Sequence, residues 1–242
     1  MDGYLYAYDP DPSKTTENPV ADMAVKPPSQ RIWAQGTTSA SGNGIPFTGN
    51  IDSEPNPEIL TVSNNQLNGF RWDGNQSLTK VYSRSVVDDS GATGITLFDF
   101  NQDNITELVY RDQSNLRIMK AAGTSFPDIK AFGAMSGTSV EHPIVVDVDN
   151  DGHAEIVTAG GTSSIATTGR LRIFNSGNGT TRAPARKIWN RYACNAVNVN
   201  DDLTIPRYQL NPRPPYSPAR TACRIPPTTS SPITTSFSSK PR

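Results

Sequence analysis

The stretch IVVDVDNDGHAEIV, residues 144–157, decides the fold. It places a carboxylate-rich loop between two apolar runs, and this layout predicts a β-strand, a tight loop and a second strand. Asp147, Asp149 and Asp151 fall on alternate residues, so a tight turn directs three hard oxygen ligands at one point. Gly152 permits the positive φ that such a turn needs. The stretch therefore predicts a cation site in a hairpin loop.

Counted from Asp147, the inferred ligand positions of the loop are 1, 3, 5, 7 and 9. The carbonyl of His153 occupies position 7 and the carboxylate of Glu155 occupies position 9, which completes a shell of the size that Ca²⁺ prefers. An EF-hand begins with the same D-x-D-x-D-G letters, but it needs flanking helices and a Glu at position 12, which is Thr158 here. The alternative is that the aspartates only form Asx-turns in an exposed loop.

The same layout occurs twice more upstream. Copies begin at Asp99 and Asn50, at spacings of 48 and 49 residues. Each copy continues with two further short apolar or β-branched runs, and the last run ends in an aromatic residue. Four strands in a unit of ~48 residues are typical of a propeller blade. The sequence therefore predicts an all-β protein, a β-propeller of four-stranded blades.

The repeat also predicts the division of the chain. A half blade precedes three full blades, a further first strand follows them, and the chain closes with a Pro/Ser/Thr-rich tail: residues 1–36, then 43–84, 92–134 and 140–192, then 195–206, then 207–242. Asn198, Asn200 and Asp202 repeat positions 1, 3 and 5 of the loop, although Leu203 replaces the glycine. Propellers typically close with four to eight blades, so we expect either a fragment of a longer protein or a small ring closed by the terminal pieces. The tail is expected to be disordered, because it cannot bury enough apolar surface.

Composition and charge restrict the function. With 18 Gly and 20 Pro and 35% hydrophobic residues, the chain suits many short strands. Its net charge is −1, but the tail holds six Lys or Arg and no acid, so the rest is acidic. An acidic body argues against a nucleic-acid surface, and no run reaches the ~20 apolar residues of a membrane span. The first residues lack an export signal. Cys194 and Cys223 could pair or stay free.

The units resemble FG-GAP/VCBS-type β-propeller repeats, which occur in integrin α-subunits and in many secreted bacterial proteins. The resemblance rests on DVDNDG at residues 147–152, on EIV at residues 155–157, and on the weaker copies at Asp99 and Asn50. It covers residues 43–192 well and 1–36 in part. Residues 187–192 and 199–206 also resemble surface proteins of the Bacteroidetes type.

The resemblance implies a set of calcium ligands. The main site would use Asp147, Asp149, Asp151, the carbonyl of His153, and Glu155. A weaker second site would use Asp99, Asn101, Asp103, the carbonyl of Ile105, and Glu107. In that copy Asn104, which tolerates the left-handed conformation, replaces the glycine. The copy at Asn50 is expected to be structural, because Pro55 fixes a negative φ at the glycine position.

For function, the sequence favours a non-catalytic scaffold, secreted or on the cell surface, that binds a protein or glycan partner. The sequence contains no G-x-S-x-G or H-E-x-x-H motif, and its two histidines are His142 and His153. The alternative is the propeller domain of a secreted polysaccharide lyase, which rests on fold analogy alone. The three tryptophans recur at strand ends, so we expect them between blades rather than on an exposed glycan platform.

Overall fold

The computed structural model describes residues 4–8, 31–36, 44–72, 78–138, 141–160, 170–175, 183–189, 199–200, 202–205 and 207. These residues contain thirteen β-strands and no helix, which confirms the all-β fold class. None of them forms a helix long and apolar enough to cross a membrane. The strands are β1 (Tyr4–Tyr8), β2 (Arg31–Gly36), β3 (Phe47–Gly49), β4 (Glu58–Ser63), β5 (Gln66–Trp72), β6 (Leu78–Ser85), β7 (Ile95–Phe98), β8 (Glu107–Arg111), β9 (Asn115–Met119), β10 (Asp128–Gly133), β11 (Ile144–Val146), β12 (Glu155–Gly160) and β13 (Arg170–Phe174).

The strands form four antiparallel sheets in chain order. Sheet I contains β1 and β2, sheet II contains β3 to β6, sheet III contains β7 to β10, and sheet IV contains β11 to β13. Sheets II and III therefore have the four strands that the repeat predicts. Consecutive strands pair in each sheet, because short connections bring neighbours together most easily.

Strand β8 shows how the sheets pack. All five of its residues, ELVYR, are buried. Alternate side chains of a strand point to opposite faces. Leu108 and Tyr110 accordingly join the core between sheets II and III, while Val109 joins the core between sheets III and IV. A strand buried on both faces has an apolar run in place of strict alternation.

Two hydrophobic cores connect the sheets side by side. The first lies between sheets II and III and includes Leu60, Leu67 and Met119; the second lies between sheets III and IV and includes Phe98 and Ile156. The first strands are also neighbours, because β7 lies beside both β3 and β11. Strand β2 of sheet I lies beside β6. Each sheet thus contacts the sheet before it in the chain.

The last predicted blade differs from its prediction. The repeat predicts a fourth strand near the end of the blade at residues 140–192. Residues 183–189 lie outside the strands, however, and sheet IV has three strands among the described residues. The reason is the backbone bonding of this segment. The N–H of Ala183 donates to the carbonyl of Phe100 at 3.1 Å, and the carbonyl of Arg186 accepts from the N–H of Asp147 at 3.0 Å. These groups are therefore bonded to Phe100, shortly after β7, and to Asp147, directly after β11, and not to β13.

Some predictions fall outside the described residues. Both cysteines lie there, and so do Asn198 and nearly all of the tail. Of the tryptophans, Trp72 is half-buried and packs against Phe70 and Leu78, and Trp189 is half-buried beside His142. The side chains of Trp72 and Trp189 are therefore partly covered.

Candidate metal centre

Three loops occupy the same place in sheets II, III and IV. Loop II (residues 50–58), loop III (residues 99–107) and loop IV (residues 147–155) each join the first strand of a sheet to the second. In each, the residue before position 1 pairs with the glutamate at position 9, and these pairs are Gly49 with Glu58, Phe98 with Glu107, and Val146 with Glu155. The three copies of the sequence repeat therefore form loops of the same length, and the strands on either side of them pair in the same register.

Loop IV brings its carboxylates together. The ligand atoms of Asp147, Asp149, Asp151 and Glu155 all lie within 4.8 Å of one another, and among the described residues this is the group of three or more His, Cys, Asp or Glu that could hold a metal ion. Asp147 and Glu155 are buried, with 3% and 2% exposure, whereas Asp149 and Asp151 are exposed. Two ligands therefore come from the base of the loop and two from its solvent side.

One oxygen of each of these carboxylates accepts a backbone N–H. The donors lie within the loop: Gly152 to Asp147 Oδ2 at 3.1 Å, Asp151 to Asp149 Oδ1 at 3.4 Å, His153 to Asp151 Oδ1 at 2.8 Å, and Val148 to Glu155 Oε2 at 3.1 Å. These bonds orient the four side chains.

The backbone of loop IV turns through two left-handed residues. Gly152 has φ of 89° and Asn150 has φ of 65°. A Cβ added at Gly152 would meet nothing within 4 Å, so the glycine is required for its φ and not for space. The predicted role of Gly152 is confirmed by this geometry.

The electrostatics of loop IV favour a bound cation. Burial raises the pKa of Glu155 to about 7; the Val148 N–H opposes this rise, and the charges of the three aspartates add to it. Asp147 Oδ1 is buried and has no hydrogen-bond partner among the described residues. A buried carboxylate oxygen is normally paired, so an ion fits this position. The donor set, hard oxygens alone, fits a hard divalent cation.

Loop III has a similar backbone but different bonding. Gln102 and Asn104 have φ of 62° and 70° at positions 4 and 6, so Asn104 adopts the left-handed conformation in place of glycine. Both oxygens of Asp99 accept backbone N–H groups, from Asp103 at 3.1 Å and Asn104 at 3.0 Å. The Asn101 amide donates to Asp103 Oδ2 at 2.9 Å. Among the described residues, the carboxylates of loop III therefore do not form a metal-ligand group of the kind found in loop IV.

The predicted ligands of loop III nevertheless share the framework of loop IV. The N–H of Ile105 donates to Asp103 Oδ1 at 2.8 Å, and Glu107 Oε2 accepts from Phe100 at 2.9 Å. Burial raises the pKa of Glu107 to about 8; the Phe100 N–H opposes this rise, and the charges of Asp103 and Asp99 contribute to it. Loop III is thus closed by its own hydrogen bonds.

Loop II keeps part of this framework without the left-handed turn. The N–H of Glu54 donates to Asp52 Oδ1 at 2.7 Å, as position 5 donates to position 3 in the other two loops. None of its described residues has a positive φ. Pro55 at position 6 has no N–H to donate and holds a negative φ. The first copy is therefore built differently, as Pro55 predicts.

The partial copy of the loop that begins at Asn198 shares one hydrogen bond and one backbone angle with the other loops. The N–H of Thr204 donates to Asp202 Oδ1 at 3.0 Å, as position 7 donates to position 5 in loops III and IV. Leu203 has φ of 67° at the glycine position. Pro206 stands at position 9, where the other loops have glutamate. This segment therefore resembles the loops locally but lacks their buried carboxylate.

Two features near the loops carry no signal in the sequence pattern. The carbonyl of Arg186 holds the N–H of Asp147, so a distant segment supports position 1 of loop IV. Arg71 on β5 binds two carboxylates of loop II. The strand register alone gives a clue to the second feature, because Arg71 pairs with Glu58 across the sheet.

Comparison with known proteins agrees with this geometry. Residues 99–158, which include loops III and IV, match the family described as FG-GAP-like repeat. The crystal structure of the V. cholerae biofilm matrix protein Bap1 is similar at a TM-score of 0.55 and 22% sequence identity, over 70% of this chain. The chain spans 28% of the length of Bap1, so the likeness concerns part of that protein. No curated protein sequence matches the chain. Residues 99–158 are therefore similar to FG-GAP-like repeats, and the fold of the chain is similar to that of part of Bap1.

Proposed function

We propose that the chain is a non-catalytic, calcium-binding β-propeller module that acts as an extracellular or cell-surface interaction scaffold. The observation that carries the metal assignment is the arrangement of loop IV, in which four carboxylates converge and the buried Asp147 Oδ1 has no partner among the described residues. His153 would add its carbonyl at position 7. When bound, a calcium ion supplies the positive charge that offsets the crowded carboxylates.

Calcium suits this loop better than magnesium does. Ca²⁺ accepts six to eight oxygen ligands in flexible geometry, whereas Mg²⁺ demands a near-ideal octahedron and keeps several waters. The nine-residue loop supplies oxygens from four carboxylates and one carbonyl. Two of the carboxylates, those of Asp149 and Asp151, are on exposed side chains that can adjust their positions. The donor number therefore favours calcium.

We propose loop III as a weaker calcium site. Its ligands would be Asp99, Asn101, Asp103, the carbonyl of Ile105, and Glu107. An ion there must displace the Asn101–Asp103 hydrogen bond and compete with the two N–H groups on Asp99. Loop IV requires no such rearrangement, so its affinity is expected to be higher.

The first test is a calcium titration with melting as the readout. Calcium that binds the folded loop alone stabilises the protein by about 2.7 kcal/mol at a free concentration 100 times Kd. This corresponds to a rise in Tm of roughly 5–10 °C for a chain of this size. Asp149→Ala removes an exposed ligand of loop IV, so it should abolish most of this rise in millimolar Ca²⁺.

The control for this test is Asp52→Ala at the same position of loop II. It should lower the starting Tm, because Asp52 binds Arg71 and Tyr82, but it should leave the calcium-dependent rise intact. The metal assignment is wrong if chelator does not change the wild-type Tm and Asp149→Ala melts like the wild type in millimolar Ca²⁺.

The architecture supports the propeller part of the proposal. The first strands β3, β7 and β11 are neighbours, and the sheets pack face against face in chain order. Strands arranged in this way around an axis form the blades of a propeller. Small-angle scattering of the full chain, with its maximum dimension, would distinguish a closed ring from an open stack.

The scaffold role is supported by two observations. His142 is half-buried against the rings of Phe47 and Trp189, so it is not presented to a substrate as an exposed base would be. The fold is shared with part of Bap1, which is a biofilm matrix protein. A screen of immobilised glycans and surface proteins in Ca²⁺ and in chelator would test the role. Calcium-dependent capture of one ligand class supports it, and turnover of a polysaccharide would contradict it.

A further inference from the structure

An arginine side chain lies between two carboxylates of loop II. Arg71 donates from Nε to Glu58 Oε1 at 3.0 Å, and its Nη2 donates to Asp52 Oδ2. Asp52 and Glu58 stand at positions 3 and 9 of the loop. One guanidinium therefore joins two carboxylates whose counterparts in loop IV, Asp149 and Glu155, belong to the metal-ligand group.

The frame that holds these carboxylates is shared by all three loops. The glutamate at position 9 accepts the N–H of position 2 through Oε2, at 3.4 Å in loop II, 2.9 Å in loop III and 3.1 Å in loop IV. In loop II this leaves Oε1 of Glu58 to accept from Arg71. Loop II thus shares the glutamate–backbone hydrogen bond of the other loops, and Arg71 binds the remaining oxygen of its glutamate.

The strand register explains why loop IV has no such cation. Arg71 stands directly across from Glu58 in the ladder of β4 and β5. In sheet IV, Phe174 pairs with Ile156, so the residue across from Glu155 is the neutral Asn175. In sheet III the corresponding residue follows Met119 and is Lys120, whose side chain is exposed.

We infer that Arg71 is a built-in cation for loop II. Its guanidinium takes the place between Asp52 and Glu58 that a metal ion takes in loop IV under the function proposed above. Loop II therefore needs no calcium, and the calcium response of the molecule is confined to the later loops. The inference rests on the proposed function only for this comparison with loop IV.

The surroundings of Arg71 fix it in this role. The hydroxyl of Tyr82 donates to Asp52 Oδ2 at 2.7 Å, and burial and the Asp52 charge raise the pKa of Tyr82 to about 12, so the donor is retained. The Glu58 side chain has 0% exposure and that of Arg71 has 28%. An exposed ion pair contributes little, but removing the partner of a buried carboxylate is strongly destabilising.

The first experiment measures hydrogen exchange of the wild-type chain in Ca²⁺ and in EDTA. EDTA should accelerate exchange in residues 147–160 by roughly tenfold or more and leave residues 50–63 unchanged. Equal acceleration in residues 50–63 would overturn the inference, because loop II would then hold calcium. No acceleration in residues 147–160 would instead contradict the proposed function.

The second experiment removes the guanidinium while keeping an apolar stem. Arg71→Met should lower Tm by roughly 5 °C or more, in Ca²⁺ and in EDTA alike, and speed exchange in residues 50–63. Asp52→Asn combined with Arg71→Met should cost less than the sum of the two single changes. Arg84→Met, which breaks an ion pair between Arg84 on β6 of sheet II and Asp128 on β10 of sheet III, is the matched control and should leave loop II exchange unchanged. Additive costs for Asp52→Asn and Arg71→Met would overturn the inference.

Discussion

His142 is a histidine whose surroundings disfavour its charged form. Its ring stacks on Phe47 with a centroid distance of 5.6 Å, and its Nε2 lies 3.1 Å from Thr96 Oγ1. The Thr96 hydroxyl donates to the carbonyl of Pro143, so the imidazole is assigned as the donor to Thr96. Burial lowers the pKa of His142 from 6.5 to about 4. The neutral ring is thus the form that the fold accepts.

This shift predicts a loss of stability in mild acid. The folded-state pKa of His142 is below its unfolded value, so the unfolded chain binds the proton more readily. The contribution is complete above pH 6.5 and is lost as the pH falls toward 4, by up to about 3 kcal/mol. We expect His142→Gln, which keeps an N–H donor, to flatten the fall in Tm between pH 6.5 and 4 relative to the wild type.

The control is the second histidine. His153→Gln keeps the backbone carbonyl of loop IV and should leave the wild-type slope between pH 6.5 and 4 unchanged. Parallel slopes for the wild type and His142→Gln would show that His142 does not cause the acid sensitivity.

Single residues differed in how well the sequence predicted them. Gly152 and Asn104 were predicted as left-handed because their side chains permit a positive φ, and the structure has both. Gln102 and Leu203 are also left-handed, but neither residue type signals it. Their φ values follow from the loop frame, which the sequence shows only by its spacing.

At the scale of one element, loop III contains a removable strain. Gln102 has φ of 62°, and Asn150 occupies the same position of loop IV with φ of 65°. Asparagine adopts this region more readily than glutamine. Gln102→Asn should therefore stabilise the chain by about 0.5 kcal/mol and raise Tm by roughly 1–2 °C. Thermal melts in chelator would measure the change without any contribution from calcium.

Ser53→Asn provides the comparison, because Ser53 holds the same position in loop II without a positive φ. It should not raise Tm. An equal gain from both changes would show that the effect comes from composition and not from the left-handed turn.

Strands were predictable where their pattern was local. The runs that became β5, β9 and β13 stand out as short apolar and β-branched segments. The fourth run of the last repeat has the same composition, yet residues 183–189 bond to Phe100 and Asp147. Long-range backbone pairing decided that segment, and a local pattern carries no information about it.

At the scale of the whole molecule, the sheets form a row in which each contacts its neighbour. Repetitive proteins of this kind are stabilised by each unit and by the interfaces between adjacent units, so one end can unfold before another. Loop IV crowds four carboxylates, whereas Arg71 offsets charge in loop II. Removal of calcium should therefore weaken sheet IV before sheet II.

Two tryptophans can report this order. Trp72 lies in sheet II, and Trp189 lies 6.1 Å from the ring of His142, just before β11. In single-tryptophan variants titrated with urea in EDTA, the Trp189 signal should change at a lower urea concentration than the Trp72 signal. Millimolar Ca²⁺ should bring the two midpoints together. Coincident midpoints in EDTA would show that the sheets unfold as one unit.

The common register of the three loops makes them exchangeable parts. The pairs Phe98–Glu107 and Val146–Glu155 close loops of equal length, so residues 147–155 could replace residues 99–107 without altering either strand. The exchange must retain Phe100 at position 2 of the loop. Phe100 is buried, with its ring centroid 4.8 Å from that of Phe98, whereas Val148 at the same position of loop IV is 44% exposed. If that phenylalanine is retained, transplanting the loop IV sequence into another sheet should transfer its calcium sensitivity to that sheet.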